Sequence, residues 1–463
     1  MHNQSHRQLR FIQFAACLGF IIVLLDVSVV NVALEALHIK FHTKINNLQW
    51  IVNAYALVFA ALLLTAGALG DRLGAKRVFM VGFAIFTLGS AGCGLAPTLS
   101  ALITARVVQG LGAALLVPAS LSLLRQVFLD DEARSRAVGW WAASGGIALA
   151  AGPVIGGLLI TSIGWRSIFL INLPLGLLGL WVVGRYAPTS PVQPTKSLDI
   201  TGQITGALTL AALTIALTEA SSLGWENPLI AVAFACFVLL GTVFLWLEAR
   251  SPSPMLPLSL FRNAPLRSAT IIGLLANLTF YGTVFTLSLY FQFIRGFTPL
   301  QTGMAFLPMM GVLVVFNITA GRLVTKVGAR TLAVSGLLIS ACGYALFLPG
   351  IVVASYPLLV IPMLIAGGGT ALTIPTITNA ALAAVAGKQA GIASGLLNAS
   401  RQIGGVIGVA LFGFLVRNQQ PTFFMYGFEQ VVIVSALLLL VAAGVAIQGL
   451  PARKGWTRAV GRQ

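Results

Sequence analysis

The residue best placed to do chemistry in this chain is an acid inside an apolar run. Asp26 stands within FIIVLLDVSVVNVALEAL (Phe20 to Leu37), and no other acidic residue lies well inside an apolar stretch. A carboxylate held in hydrocarbon is costly, and acids so placed mark proton relays and ion paths. Arg106 is its natural counter-charge. Asp26 lies eight residues before the outer end of its stretch and Arg106 seven from the outer end of its own. At the helical rise those depths are roughly 12 and 10 Å, so the two can meet at one level. Leaving water favours the neutral acid, whereas a guanidinium alongside favours the carboxylate. Approach or withdrawal of Arg106 would then switch Asp26 between empty and proton-loaded. A static ion pair joining two helices is the competing reading.

The elements that must position this pair follow from composition. Of 463 residues, 58% are hydrophobic and 8% charged, which excludes a soluble globule, whose charged share is about a quarter. A helix needs roughly 20 apolar residues to cross a bilayer. Fourteen stretches qualify: 11–34, 48–69, 78–96, 99–124, 137–160, 166–185, 200–218, 229–247, 268–292, 301–320, 331–350, 356–378, 390–416 and 428–450. With the N-terminus in the cytoplasm, 21 Lys and Arg fall in inner loops and tails, 5 in outer loops and 2, Arg106 and Arg401, within spans. That asymmetry is the positive-inside pattern. The net charge of +17 therefore reads as topology, with no nucleic-acid role, and both termini are expected in the cytoplasm. Cys17, Cys93, Cys236 and Cys342 all lie inside spans without CxxC spacing, so they read as core residues and no metal site is expected. The first stretch is too long for the apolar core of a signal peptide and is read as the first span. The absence of a G-x-x-x-x-G-K-[ST] run argues against a phosphate-binding loop of that type, and no cofactor is expected.

The chain repeats itself. Gly67-Ala-Leu-Gly-Asp71-Arg72-Leu-Gly74-Ala-Lys76-Arg77 is echoed 254 residues later by Gly321-Arg-Leu-Val-Thr325-Lys326-Val-Gly328-Ala-Arg330, and Gly152-Pro153-Val-Ile-Gly156 is echoed 252 residues later by Gly404-Gly405-Val-Ile-Gly408. The expected plan is all-α: a six-helix bundle over 1–186, linkers and two inserted helices over 187–266, a second six-helix bundle over 267–450, and a basic cytoplasmic tail over 451–463. Paired helical halves around a midplane site are the plan of alternating-access transporters.

These motifs carry a family resemblance. Gly67 to Arg77 resembles the loop motif of the major facilitator superfamily, Ala105-Arg106-Val-Val-Gln109-Gly110-Leu-Gly112 its span-four motif, and Gly146 to Gly157 its antiporter motif. Leu25-Asp26-Val-Ser28-Val-Val-Asn31-Val-Ala-Leu34 looks like the corresponding run of the fourteen-spanner drug:proton antiporters, with Ser28 for Thr and Glu35 for Pro; Pro257 to Asn263 and Arg401-Gln402-Ile-Gly404-Gly405 match as well. The resemblance covers nearly the whole chain. It implies the major facilitator fold with fourteen transmembrane helices, and a conformational latch in which Asp71, on a loop shaped by Gly67 and Gly74 and anchored by Arg72 and Lys76, contacts inner helix ends of the other half. A purely topogenic loop is the alternative. It also implies that a bend at Pro153 seals the cavity against proton leak. From residue size alone, Gly145, Gly146, Gly152, Gly156 and Gly157 are expected to let helices pack closely.

Substrate contacts are expected from Asn277, Tyr281 and Phe285, a stripe on one face of the ninth span, with Asn53, Gln109, Arg401 and Gln402 as further candidates. Core packing and hydrogen bonding to carbonyls compete with that reading. Glu35 and Glu219 at outer span ends read as solvated charges. The function expected is proton-coupled export of small lipophilic drugs or toxic compounds, neutral or monovalent cations, by a monomer in the inner membrane of a bacterium. The need for a periplasmic adaptor is left open. A same-fold carrier of a metabolite or organic anion using Arg401 is the alternative, and a membrane receptor or enzyme is disfavoured because embedded acids, His and Cys are not clustered.

Overall fold

The computed structural model describes residues 6–189, 199–353, 355–385 and 390–452. The linker from Ser190 to Pro194, the tail from Arg453 onward and the side chains of Asp71 and Thr325 lie outside the described residues. All regular structure among the described residues is helical. It comprises α1 (His6–Val32), α2 (Leu34–Phe41), α3 (Ile45–Leu73), α4 (Ala75–Leu95), α5 (Leu99–Val127), α6 (Asp131–Ser162), α7 (Ser167–Leu170), α8 (Asn172–Tyr186), α9 (Ile200–Leu223) and α10 (Pro228–Arg250). There follow α11 (Ala264–Leu289), α12 (Pro299–Ala305), α13 (Leu307–Val327), α14 (Ala329–Ala345), α15 (Phe347–Val353), α16 (Tyr356–Ala383), α17 (Ala390–Leu415) and α18 (Pro421–Gly449).

Thirteen helical segments among the described residues are long and apolar enough to cross a membrane. α17, at 26 residues, is long enough but is not among them, because Asn398, Arg401 and Gln402 interrupt its apolar run. Helix starts follow local chemistry. Thr98 accepts a hydrogen bond from Ala101 N at 3.2 Å, Asp130 from Ala133 N at 2.8 Å and Asn263 from Leu266 N at 3.1 Å, each satisfying an amide that the first turn leaves open.

Contacts divide the chain into two compact units: Met1–Ala207 with Phe297–Met304, and Leu208–Gly296 with Ala305–Gln463. In the first, α4 packs on α5 around the buried rings of Phe79, Phe83 and Phe86, while α1 packs on α6 and α3 on α5. In the second, α14 packs on α16, α11 on α17 and α13 on α16. The repeat seen in the sequence is also a repeat of backbone. Gly74 has φ 90° and Gly328 φ 88°, a region L side chains avoid, and each starts the next helix (α4 or α14) abruptly. Lys76 Nζ donates to the carbonyls of Gly184 at 3.2 Å and Ala187 at 2.6 Å, at the carboxyl end of α8. At the corresponding place Arg330 Nε donates to Leu450 O at 2.7 Å, just past α18. Each cation satisfies carbonyls left open by a helix end and complements its dipole.

Most of α10 is exposed, whereas α9 is largely buried or partly buried. Gln203 ties the start of α9 to α3: its Nε2 donates to Ala61 O at 2.7 Å and its Oε1 accepts from the Thr65 hydroxyl. Glu248, at the end of α10, is 2% exposed and accepts from Leu256 N at 2.9 Å, so the Pro-rich turn after α10 folds back over a buried acid.

Candidate functional site

Asp26 and Arg106 are 0% and 1% exposed and form a direct ion pair, Nη1 to Oδ2. The glycines of α5 explain how the arginine arrives there. An added Cβ at Gly110 would stand 2.6 Å from Tyr55 O on α3, and one at Gly112 would stand 2.4 Å from Phe86 N on α4. α5 is thus wedged between two backbones, which fixes Arg106 and Gln109 on its inner face. Gly89 brings α4 equally close, with an ideal Cβ 2.7 Å from Gln109 N. On the other side, Gly145 faces Phe20 and Leu24, Gly152 faces Ser28, and Gly156 faces Val29 and Val32. α6 therefore braces α1 immediately before and after Asp26.

The pair is enclosed by amides. Gln109 Nε2 donates to Asp26 Oδ1 at 3.0 Å and to Ser90 Oγ at 2.7 Å. Gln109 Oε1 accepts from Arg106 Nη1 at 2.9 Å and from the Cys93 thiol at 3.1 Å. Asn172 Nδ2, at the first residue of α8, reaches Asp26 Oδ1 and Ser90 Oγ, each at 3.4 Å. Arg106 Nε donates to Ile51 O at 3.0 Å, and its guanidinium carbon stands 4.3 Å from the Tyr55 ring centroid. Five helices contribute to this one cluster. Both hydrogens of the Gln109 amide and its oxygen are used, so the residue is spent on holding the ion pair.

The other sequence candidates are distributed as follows. Asn53 is buried on α3. Asn277 is buried and donates to Gly273 O of its own helix at 2.8 Å, and Phe285 is fully enclosed in the core. Tyr281 and Arg401 remain partly exposed, as does Gln402. Gly67 approaches only Pro118, 4.0 Å from its ideal Cβ, Arg72 is exposed, and Lys76 caps α8 as described. The expectation that all five glycines of the antiporter motif pack closely needs correcting: nothing lies within 4 Å of an ideal Cβ at Gly146, which sits a helical step away from the face shared by its neighbours. Gly157 does pack, with an ideal Cβ 2.5 Å from Pro299 O. α6 runs without a break through Pro153. Glu35, read as solvated, is partly buried on α2, and desolvation pushes its carboxyl above the ordinary range. Reading the sequence missed Ser90, Asn172 and Glu248. Asn172, a polar residue inside the sixth span two residues before Pro174, is the available signal.

Comparison with known proteins gives the lineage. The chain is 38% identical over 401 residues to the methylenomycin A resistance protein of Bacillus subtilis, covering 86% of each. It is 36% identical to the multidrug resistance protein Stp of Mycobacterium tuberculosis, covering 86% of this chain and 74% of that one. In fold it is similar to a D-xylose–proton symporter, with a TM-score of 0.71 at 15% identity over 96% of this chain and 98% of the other. The family model for the Major Facilitator Superfamily matches residues 16–409 and 309–459. A multi-pass helical chain with these relatives and this internal repeat is a transporter, not an enzyme, and it belongs to the Major Facilitator Superfamily.

Proposed function

We propose that the chain is a fourteen-helix drug:proton antiporter of a bacterial cytoplasmic membrane, with both termini in the cytoplasm, and that Asp26 is its proton carrier. Its relatives are named for resistance and export, which supports export of small lipophilic compounds. One observation carries the coupling mechanism: Asp26, the one acid deep inside a span, is fully enclosed, and its neighbours are arranged to survive its neutralisation. When Asp26 gains a proton, Arg106 keeps the Gln109 and Ile51 oxygens and the Tyr55 face. The cation therefore stays in place while its counter-charge comes and goes, where an arginine bound to the acid alone would be left stranded.

In the cycle, Asp26 takes its proton from the outer side and releases it to the cytoplasm as substrate is recaptured. Competition between proton and substrate for conformations of the same protein supplies the exchange. The α1–α6 contact around Gly152 and Gly156 supports a seal on the proton path. Asp71 is proposed as a latch between conformations, working without contact to the ligand. By the count of acids well inside the spans, substrates are neutral compounds or monovalent cations, since one carboxylate cannot offset a dication. The chain works as a monomer built from the halves 1–186 and 267–450. Everted membrane vesicles given an imposed pH gradient test this reading: gradient-dependent uptake of a lipophilic dye supports it, and uptake indifferent to the gradient refutes it.

A further inference from the structure

The second unit holds a partly buried arginine, Arg401, that has no counter-charge among the described residues. Arg401 lies 11 residues from the start of α17 and 14 from its end, roughly 16 and 21 Å along the helix. Its Nε is buried without a hydrogen-bond partner, and no ion pair reaches it among the described residues. Its stem packs against α11, with Cγ 3.2 Å from an ideal Cβ at Gly273. Two turns further along α11, the ring of Tyr281 lies against Gly405, 3.1 Å from an ideal Cβ there, one turn beyond Arg401 on α17. The contrast with Arg106 is direct: that guanidinium has a carboxylate, an amide oxygen, a backbone carbonyl and an aromatic face. The only acid between residues 264 and 452 is Glu429, on α18.

An unneutralised guanidinium at this depth is costly. A ligand that brings the missing negative charge recovers that cost, and the planar fork of an arginine favours a carboxylate over a spherical anion. The Tyr281 hydroxyl supplies a neighbouring donor and its ring an apolar wall. Asp26 does not compete for this role, being capped by Arg106, Gln109 and Asn172.

We propose that Arg401, with Tyr281 beside it, binds a carboxylate on the transported compound, so that lipophilic monocarboxylic acids are a substrate class of this exporter alongside neutral compounds. The inference rests on the export function proposed above and adds an anionic class to the neutral and monocationic substrates given there. Its test uses one aromatic scaffold carrying a carboxylate, its methyl ester or a tertiary amine, measured both by binding to the purified full chain as a thermal shift and by gradient-driven uptake in everted vesicles. In Arg401→Gln the carboxylate should lose roughly ten- to a hundredfold in affinity, the effect of removing a charge-assisted hydrogen bond, while the ester stays within about twofold. Arg401→Lys should retain part of the carboxylate affinity, and its melting temperature, with that of the Gln variant, shows whether folding is intact. The proposal is overturned if the wild-type chain binds the ester but not the carboxylate, or if Arg401→Gln weakens both alike. Failure of the antiport reading looks different: carboxylate binding persists and depends on Arg401, but uptake ignores the pH gradient.

Discussion

Gly152→Ala tests how closely α6 must hold α1. An alanine Cβ there would lie 1.7 Å from Ser28 Oγ, 2.8 Å from Ser28 Cβ and 3.5 Å from Leu25 O. The hydroxyl can rotate away from its bond to Leu25 O, but the Ser28 Cβ cannot, so the helices must part by several tenths of an ångström. Forcing a methyl into such a contact costs about 1–3 kcal/mol, and the displacement falls two residues from Asp26. Gly146→Ala, six residues earlier in the same helix, meets nothing within 4 Å and replaces a poor helix former by the best, a gain of up to about 1 kcal/mol in a helix interior. The expected result is a lower melting temperature and slowed gradient-driven transport for Gly152→Ala, against unchanged or improved values for Gly146→Ala. Ser28→Gly removes both clashing atoms and should rescue Gly152→Ala, giving a favourable coupling in a double-mutant cycle. Equal behaviour of the two alanine variants, or no rescue, would refute a steric brace at Asp26.

Asp26→Asn keeps shape and can still bond Arg106 but cannot cycle a proton, so gradient-driven uptake should vanish while the protein inserts normally; wild-type uptake would remove the proposed proton carrier. Arg106→Lys should lower transport at least about tenfold, because a lysine cannot hold Ile51 O, Gln109 Oε1 and Asp26 in one plane, and a fully active variant would favour a replaceable ion pair. Lys76→Met removes the donor to Gly184 O and Ala187 O and should lower thermal stability by about 1 kcal/mol with substrate affinity unchanged; altered affinity at unchanged stability would contradict a capping role. A bis-quaternary dication should be exported far less well than a matched monocation, measured side by side in vesicles, and parity would mean that a second acid reaches the ligand.

Charges in apolar runs were the most legible part of the site, since Asp26 and Arg106 stand out by cost alone and their depths agree. Gln109 stands out in the sequence as a candidate, but its contacts do not: they depend on which helices flank it, and close approach at Gly89, Gly110 and Gly112 brings its amide to Asp26 and Arg106. Ser90 and Asn172 are ordinary polar residues in sequence, and only tertiary packing brings Asn172 to the carboxylate and Ser90 to the amides of Gln109 and Asn172. Glu248 was passed over because it sits at a span end beside Arg250, and its burial comes from a turn folding back over it. Gly146 shows the converse. Positions 145, 152 and 156 recur at helical spacing on one face, which periodicity could have separated from 146.

The paired caps at Lys76 and Arg330 also set an order of assembly. Each cation is made long before the carbonyl it serves, with 111 residues separating Lys76 from Ala187 and 120 separating Arg330 from Leu450. At roughly 5–20 residues per second of synthesis, each waits on the order of ten seconds for its partner helix to arrive. Biogenesis would then proceed in two matched beats, each ending when the last helix of a half reaches the membrane and its end is tied down. A ribosome stalled before Ala187 would leave the first half without its clasp, and pulse-labelled chains should gain protease resistance in two steps at those lengths.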